Sequence, residues 1–199
     1  MLSVNTSFTD EELVVKVLKK DREALGELFR RYQKSFFNLA YRFLGDYYLA
    51  DDLTSEIFLR IYKYLKKFDR NLRFKSWAFK IATNTCLTFK AKNLKLKTIN
   101  FNLKPKAGEE QEGQGGREVE LADTRVDLVR ETEKNEISER VQKALQLLPE
   151  KYRLALYLYY FEDLRYEEVA NDLGLPVNTV RTHIKRGKER LKGELRDLI

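Results

Sequence analysis

Cysteine and histidine are almost absent from this sequence of 199 residues, which contains one of each. The single cysteine, Cys86, cannot form an intramolecular disulfide, and one Cys with one His cannot build a Cys/His zinc site. The single histidine, His183, also argues against a catalytic triad based on histidine. We expect a protein of a reducing compartment that uses no metal and no other cofactor.

Proline and glycine are also scarce, with three and nine residues. So few chain-breaking residues favour long helices over a turn-rich β architecture. No apolar run approaches the roughly 20 residues that a membrane helix needs. The N-terminus lacks the basic start and apolar stretch of a signal peptide. We therefore expect a cytoplasmic protein without membrane insertion.

Basic residues outnumber acidic ones, and the charge is unevenly distributed along the chain. The sequence has 38 Lys and Arg residues against 31 Asp and Glu residues, a formal net charge of +7. Residues 1–100 contain 20 basic and 11 acidic side chains, whereas residues 101–140 contain 7 basic and 11 acidic ones. A net charge of this size is a weak indication of nucleic-acid binding, but its concentration in particular segments is more informative.

Apolar residues recur at helical spacing throughout the first part of the chain. Thr9 has the spacing of a capping box, and Asp21 and Asp46 can each cap a following helix. The predicted helices begin near Thr9, Asp21, Asp46 and Phe74, and no strand alternation competes with them. Residues 1–92 therefore predict an N-terminal helical bundle.

The composition changes after this bundle. Residues 104–118 are rich in Gly, Glu and Gln and contain almost nothing apolar. Such a segment cannot bury enough surface to offset its ordering entropy, which predicts a flexible acidic linker over residues 93–134. Helical spacing then resumes and predicts a C-terminal helical domain over residues 135–199. The expected fold class is all-α, with two helical domains joined by the linker.

The strongest local signal is the segment 166–186, which reads Y-E-E-V-A-N-D-L-G-L-P-V-N-T-V-R-T-H-I-K-R. Gly174 permits a tight left-handed turn and Pro176 fits the start of a second helix, as in a helix-turn-helix whose second helix enters the major groove. Arg and Lys on that helix can reach bases and phosphates. A helical hairpin with a solvated basic face is the alternative interpretation. His183 fits a phosphate contact or an ordinary surface position.

A second basic segment lies between Arg60 and Lys97, where twelve Lys or Arg residues accompany one acid, Asp69. Aromatic residues are interleaved with these cations. Cations that follow phosphates, with rings that stack on unpaired bases, are the means of holding single strands. The aromatic spacing also fits core packing, and for Trp77 both interpretations remain open. The interleaved polar residues are better candidates for contact, namely Lys75, Ser76, Lys80 and Asn84.

The motifs, in their order, resemble those of the extracytoplasmic-function sigma factors. The segments D-L-T-S-E-I-F-L-R at 52–60 and F-K-S-W-A-F-K-I-A-T-N at 74–84 are similar to the family's second region. The segments L-P-E-K-Y-R at 148–153 and 166–181 are similar to its fourth region. Taken alone, the acids at 52 and 56 would belong to a solvated helix face, and only the resemblance gives them a docking role.

This resemblance implies a factor that binds core RNA polymerase, directs it to promoter DNA and promotes melting. Asp52, Glu56 and Phe58 would dock on the clamp helices of the largest polymerase subunit. The −35 element would be read by Thr179, Arg181, Thr182, Lys185 and Arg186. The −10 element would be contacted by Phe68, Asn71, Arg73, Phe74, Lys75, Ser76, Trp77, Lys80 and Asn84. An anti-sigma factor is a common partner in the family.

Two other classes of protein compete with this interpretation. An autonomous helix-turn-helix regulator would bind duplex DNA alone, usually as a symmetric dimer, but the aromatic and basic segment and the linker argue against it. A nuclease would need carboxylates that converge on a metal ion. The adjacent pairs Asp51–Asp52 and Glu167–Glu168 point apart on their helices, so we expect no enzymatic activity.

Overall fold

The computed structural model describes residues 8–102 and 138–196, with side chains described up to Lys92 in the first range. Within these ranges the chain forms eight α-helices, with a short 3₁₀ turn after the third, and no β-strand. The all-α fold class is thus confirmed. The helices are α1 (Asp10–Leu18), α2 (Arg22–Leu44), α3 (Tyr47–Tyr64, followed by the 3₁₀ turn Leu65–Lys67), α4 (Phe74–Asn102), α5 (138–146), α6 (Glu150–Tyr160), α7 (Tyr166–Leu173) and α8 (Val177–Glu194).

The first three helices begin where their capping residues predict. Thr9 and Glu12 form a capping box, in which the Thr9 hydroxyl accepts a hydrogen bond from the Glu12 amide at 3.2 Å and the Glu12 carboxylate accepts one from the Thr9 amide at 2.8 Å. Asp21 and Asp46 cap α2 and α3 through their carboxylates. α2 ends at Gly45, whose φ of 78° is readily accessible only to glycine. Each side-chain cap is worth about 1 kcal/mol.

The fourth helix is longer than the sequence predicted. α4 continues to Asn102, beyond the expected domain boundary at residue 92 and into the segment assigned to the linker. Residues 93–102 include Leu94, Leu96 and Ile99 and contain neither Pro nor Gly, so nothing in them terminates the helix. The rest of the predicted linker, from residue 103 to residue 134, lies outside the described residues.

An aromatic core holds the N-terminal helices together. Phe36 of α2 is buried against Phe58 of α3 and Phe79 of α4, with ring centroids 5.3 Å and 5.2 Å away. Phe74, at the start of α4, packs edge-on against Tyr32 at 5.5 Å. These contacts fix α4 against α2 and α3, and thereby set the direction of the predicted −10 face.

The C-terminal helices enclose a smaller core of aliphatic side chains. Val169 of α7 and Val180 of α8 are fully buried, and the turn between these helices passes through Gly174 with a φ of 62°. Gly187 of α8 lies against α6, where an added Cβ would be 2.9 Å from Leu156 Cδ1. The absence of a side chain at Gly187 therefore lets α8 approach α6.

This close approach predicts different effects of alanine at two glycines of α8. Gly187→Ala is expected to be about 1–2 kcal/mol less stable than Gly193→Ala, because at Gly187 the methyl group also crowds Leu156. Gly193→Ala is the matched control, since nothing lies within 4 Å of an added Cβ there and alanine favours a helix. Thermal unfolding followed by circular dichroism measures both variants. Equal midpoints would show that Gly187 does not set the helix spacing.

The two groups of helices pack against each other, α6 on α2 and α7 on α4. In the last turn of α2 the Tyr41 carbonyl accepts a hydrogen bond from the Gly45 amide at 2.8 Å, while the carbonyls that follow it have no partners in their own helix. Gln142 and Gln146 donate hydrogen bonds to the Tyr41 and Arg42 carbonyls at 2.8 Å and 2.9 Å, and Arg153 donates one to the Phe43 carbonyl. The C-terminal group thus caps a helix of the N-terminal group. No helix among the described residues is long and apolar enough to cross a membrane.

Candidate nucleic-acid interface

The outer face of α8 carries the residues that the sequence assigned to the −35 element. Arg181, Thr182, Lys185 and Arg186 are exposed and Thr179 is half-buried, while Val180 and Ile184 turn inward. The Arg181 guanidinium lies over the Tyr166 ring at 5.4 Å, and the Thr182 hydroxyl donates a hydrogen bond to the Asn178 carbonyl at 2.9 Å. The cations are therefore presented on one side of a helix whose other side is fixed by packing.

His183 lies beside this face and is half-buried against the Tyr152 ring, with centroids 4.6 Å apart. Partial burial, together with the nearby cations Lys151 and Arg186, lowers the pKa of His183. The imidazole is therefore mainly neutral at pH 7 and adds little charge to the face.

The aromatic residues assigned to the −10 element lie mostly in the core. Phe68 and Phe74 are buried, and Trp77 is half-buried with its ring centroid 5.2 Å from Phe68 and 5.8 Å from Phe74. Asn71 and Arg73 are exposed in the turn that precedes α4. The cluster holds this turn and the start of α4 together, so its rings act mainly in packing.

The polar residues on α4 contact the C-terminal helices rather than solvent alone. Each pairs with an oxygen atom from α7 or from the loop before it. Lys75 Nζ donates a hydrogen bond to the Glu162 carbonyl at 2.6 Å and lies 3.2 Å from its carboxylate. The other pairs are Arg73–Glu168 at 3.2 Å, Ser76–Asp172 at 3.3 Å and Lys80–Asn171 at 3.0 Å, and Asn84 lines the adjoining groove. We call this set of four pairs the α4–α7 contact.

Asp172 lies at the centre of the α4–α7 contact and is 1% exposed. One carboxylate oxygen accepts a hydrogen bond from the Ser76 hydroxyl, and the other has no partner among the described residues. Burial raises the pKa of Asp172 to about 7, although the Ser76 hydrogen bond and the Lys80 charge oppose the shift. An ionised Asp172 is therefore costly in this position.

This raised pKa predicts that the packing of the two domains depends on pH. The closed arrangement binds the Asp172 proton more tightly than an open one, where the pKa of this carboxyl group falls toward its ordinary value of 3.8. Closure is therefore expected to weaken as pH rises from about 4 to about 7 and to change little above that. Small-angle scattering should show the particle expanding over this range. Asp172→Asn removes the titration, and an equal expansion in that variant would contradict the prediction.

The residues assigned to polymerase docking lie on α3. Asp52 is exposed, and Glu56 pairs with Arg60 at 2.7 Å. Phe58 faces the core instead, with its ring centroid 4.3 Å from Phe29. Phe58 therefore lies beneath the exposed side chains of α3 and not among them.

Two docking candidates were missed in the sequence. Leu59 is 65% exposed and Tyr62 is 56% exposed, although both are large and apolar. Together with Leu25 and Phe29 they line a groove of about 600 Å³ between α2 and α3. The sequence spacing indicates the position of Leu59, because this residue follows Asp52 by seven residues and so lies on the same face of α3. This face combines acids with exposed apolar groups.

Comparison with known proteins matches both parts of the chain. Residues 28–95 match Sigma-70 region 2, and residues 138–191 match Sigma-70, region 4. The ECF RNA polymerase sigma factor SigW of Bacillus subtilis is 32% identical over 186 residues, which cover 93% of this chain and 96% of SigW. This chain belongs to the ECF sigma factors. It is an RNA polymerase sigma factor of that type.

Other relatives of this sigma factor agree with the assignment. The ECF RNA polymerase sigma-E factor of Escherichia coli is 29% identical over 204 residues, covering 98% of this chain and 99% of that protein. Among solved structures, CnrH in complex with the cytosolic domain of CnrY has a TM-score of 0.66 at 20% identity, covering 94% and 97% of the two chains. RpoE of Bartonella quintana, in complex with the anti-sigma factor NepR, has a TM-score of 0.64 at 18% identity, covering 86% and 96%. The two structures support the fold.

Proposed function

We propose that this sigma factor binds core RNA polymerase, directs it to specific promoters and promotes their melting, without catalysing a reaction itself. The observation that carries the proposal is the face of α8, where exposed Arg181, Lys185 and Arg186 lie opposite buried Val180 and Ile184. A rigid helix with cations on its outer side fits the major groove of DNA. In this proposal α8 reads the −35 element.

The proposed −10 surface is the turn before α4 and the first turns of that helix. It offers exposed Asn71 and Arg73, together with Lys75, Ser76 and Lys80 once their present partners move away. Cations beside a fixed aromatic cluster suit a single strand, because the cations follow phosphates while the cluster keeps the surface rigid. Trp77, which is half-buried, is the aromatic residue with surface left for a base.

The proposed docking surface for the polymerase is the acidic and apolar face of α3. Asp52 and Glu56 offer charges that a basic partner can pair with, and Leu59 and Tyr62 offer area that a partner would remove from water. An anti-sigma factor is a further proposed partner, supported by its presence in the complex of the related RpoE. The proposed place of action is the cytoplasm.

Mixing the purified sigma factor with bacterial core RNA polymerase tests the function directly. Co-elution in size-exclusion chromatography, followed by promoter-dependent transcription from the reconstituted holoenzyme, is the expected result. No co-elution, combined with tight binding of the free protein to a duplex operator, would instead identify an autonomous regulator.

A further inference from the structure

The helix α4 begins without a capping side chain from its own segment. Arg73 stands at the position before the helix, because its carbonyl accepts the first helical hydrogen bond, from the Trp77 amide at 3.2 Å. The Arg73 guanidinium has donors only, so this side chain cannot accept a bond from the first amides of α4. By contrast, α1, α2 and α3 each follow a residue whose side-chain oxygen does so. The start of α4 therefore needs an acceptor from elsewhere in the chain.

The acceptor is a carboxylate of α1. The amide of Phe74, the first residue of α4, donates a hydrogen bond to Glu11 Oε1 at 2.8 Å, although the two residues are 63 positions apart. Glu11 is half-buried, and a negative charge at this end of a helix also interacts favourably with the helix dipole. Glu11 thus supplies to α4 what Thr9, Asp21 and Asp46 supply to the helices that follow them.

The neighbouring acid of α1 holds the ring of the same phenylalanine. Asp10 accepts a hydrogen bond from the Tyr32 hydroxyl and pairs with Arg31 at 2.8 Å. Tyr32 is buried, and its ring makes the edge-on contact with Phe74. Two adjacent carboxylates of α1 therefore act on Phe74, one through its amide and the other through its ring.

Phe74 ends the most exposed part of the proposed −10 surface. Residues 69–73 are all exposed. Asp69 accepts hydrogen bonds from the amide and the side chain of Asn71, each at 3.0 Å, and these bonds join the turn only to itself. The turn is anchored at Phe68, within the aromatic cluster, and at Phe74. Whatever holds Phe74 therefore determines where Asn71 and Arg73 are presented.

We infer that Glu11 is a positioning residue for the −10 element. Its carboxylate fixes the start of α4, and with it the side chains of the preceding turn, before DNA is bound. This inference rests on the proposed function of that surface, and it does not require Glu11 to touch DNA. A surface that is fixed in advance loses less conformational entropy on binding and tolerates a misplaced base less well.

Three variants isolate the contact between Glu11 and Phe74. Glu11→Ala removes the acceptor, whereas Glu11→Gln keeps an oxygen atom in its place. Glu12→Ala is the matched control, because it removes the same group from the next residue of α1 and breaks the capping box of that helix, in which Glu12 accepts a bond from the Thr9 amide. A general weakening of α1 therefore appears in the control, while the bond to the Phe74 amide is lost only in Glu11→Ala.

Hydrogen–deuterium exchange of the free protein measures how firmly the start of α4 is held. In Glu11→Ala we expect a peptide covering residues 69–77 to exchange about fivefold faster or more, the effect that the loss of one cap has on a local equilibrium. Glu12→Ala and Glu11→Gln should exchange there at rates close to wild type. Unchanged exchange in Glu11→Ala would overturn the inference.

Promoter discrimination is measured with reconstituted holoenzyme. A promoter competes with a copy whose −10 element is scrambled, at fixed salt, and permanganate reactivity of the melted bases reports which of them is opened. The ratio between the two does not depend on the fraction of active sigma factor, so a variant that is merely less stable leaves it unchanged. We expect this ratio to fall about fivefold or more in Glu11→Ala, and to stay within about twofold of wild type in Glu12→Ala and Glu11→Gln.

Two results would reject the positioning role. One is an equal ratio in Glu11→Ala and Glu12→Ala. The other is a Glu11→Gln variant as defective as Glu11→Ala, because the hydrogen bond would then not be the means by which Glu11 acts. Polymerase binding should be the same in all three variants, since the proposed docking surface on α3 is intact.

A variant of the turn itself separates that failure from a failure of the proposed −10 surface. Asn71→Ala with Arg73→Ala removes two side chains that the surface would present to DNA. A reduced ratio in this variant with an unchanged ratio in Glu11→Ala would leave the −10 surface intact and reject only the role of Glu11. Unchanged ratios in both would reject the −10 surface, and the role of Glu11 with it.

Discussion

A sigma factor with Asp52→Arg and Glu56→Arg is expected to lose at least about 100-fold in affinity for core RNA polymerase, or about 2.7 kcal/mol. Asp52 is exposed on α3, and the partner of Glu56 among the described residues is Arg60 on the same helix. Neither side chain supports the core, so the fold should survive. Arginine at both positions would replace the acidic part of the proposed docking surface with repulsive charge.

The measurement is a titration of labelled polymerase with each variant, backed by co-elution. Glu167→Arg with Glu189→Arg is the control, because both acids are exposed, lie on α7 and α8 rather than on α3 and undergo the same change of charge. Full binding by the Asp52 and Glu56 variant would reject the α3 surface. A loss accompanied by reduced helicity would indicate misfolding instead.

Arg181→Ala with Lys185→Ala is expected to reduce the holoenzyme's preference for the upstream promoter element by at least about 30-fold. Each base or phosphate contact contributes about 1–3 kcal/mol, and the two side chains lie one turn apart on the exposed side of α8. Polymerase binding should be unchanged, since α3 is intact. The expected effect therefore separates DNA recognition from docking.

Competition between a promoter duplex and the same duplex with a scrambled upstream element measures this preference at fixed salt. Lys192→Ala with Arg196→Ala removes two exposed cations near the end of α8 and serves as the control. A preference that survives in the Arg181 and Lys185 variant would show that another face reads the element. Parallel loss of polymerase binding would indicate a folding defect.

Local chemistry made much of this fold predictable. Thr9, Asp21 and Asp46 start helices because their side chains satisfy amides a few residues ahead, and Gly45 ends one because its backbone adopts a left-handed conformation. The turn at Gly174 was predictable for the same reason. These are interactions between near neighbours, and a single sequence contains all the information that they need.

Contacts between distant segments were not predictable in this way. Ser76 meets Asp172 across a separation of 96 residues, and no spacing rule connects the two. The apolar residues of α3 show a second difficulty. The resemblance marked Phe58 for docking, whereas the structure turns Phe58 toward Phe29 and leaves Leu59 exposed. Which of two adjacent apolar residues is buried depends on the partner helix rather than on α3 alone.

Gly187 links the core of the C-terminal domain to the reading of DNA. The distance between α8 and α6 depends on the inner side of α8, where Gly187 packs against Leu156. No side chain that would touch a base takes part in this contact. A larger residue there would tilt or rotate α8 and move Arg181 and Lys185 relative to the groove. We expect a genetic selection for altered promoter choice to recover substitutions at Gly187 and Leu156, on the side of α8 that is turned away from the bases.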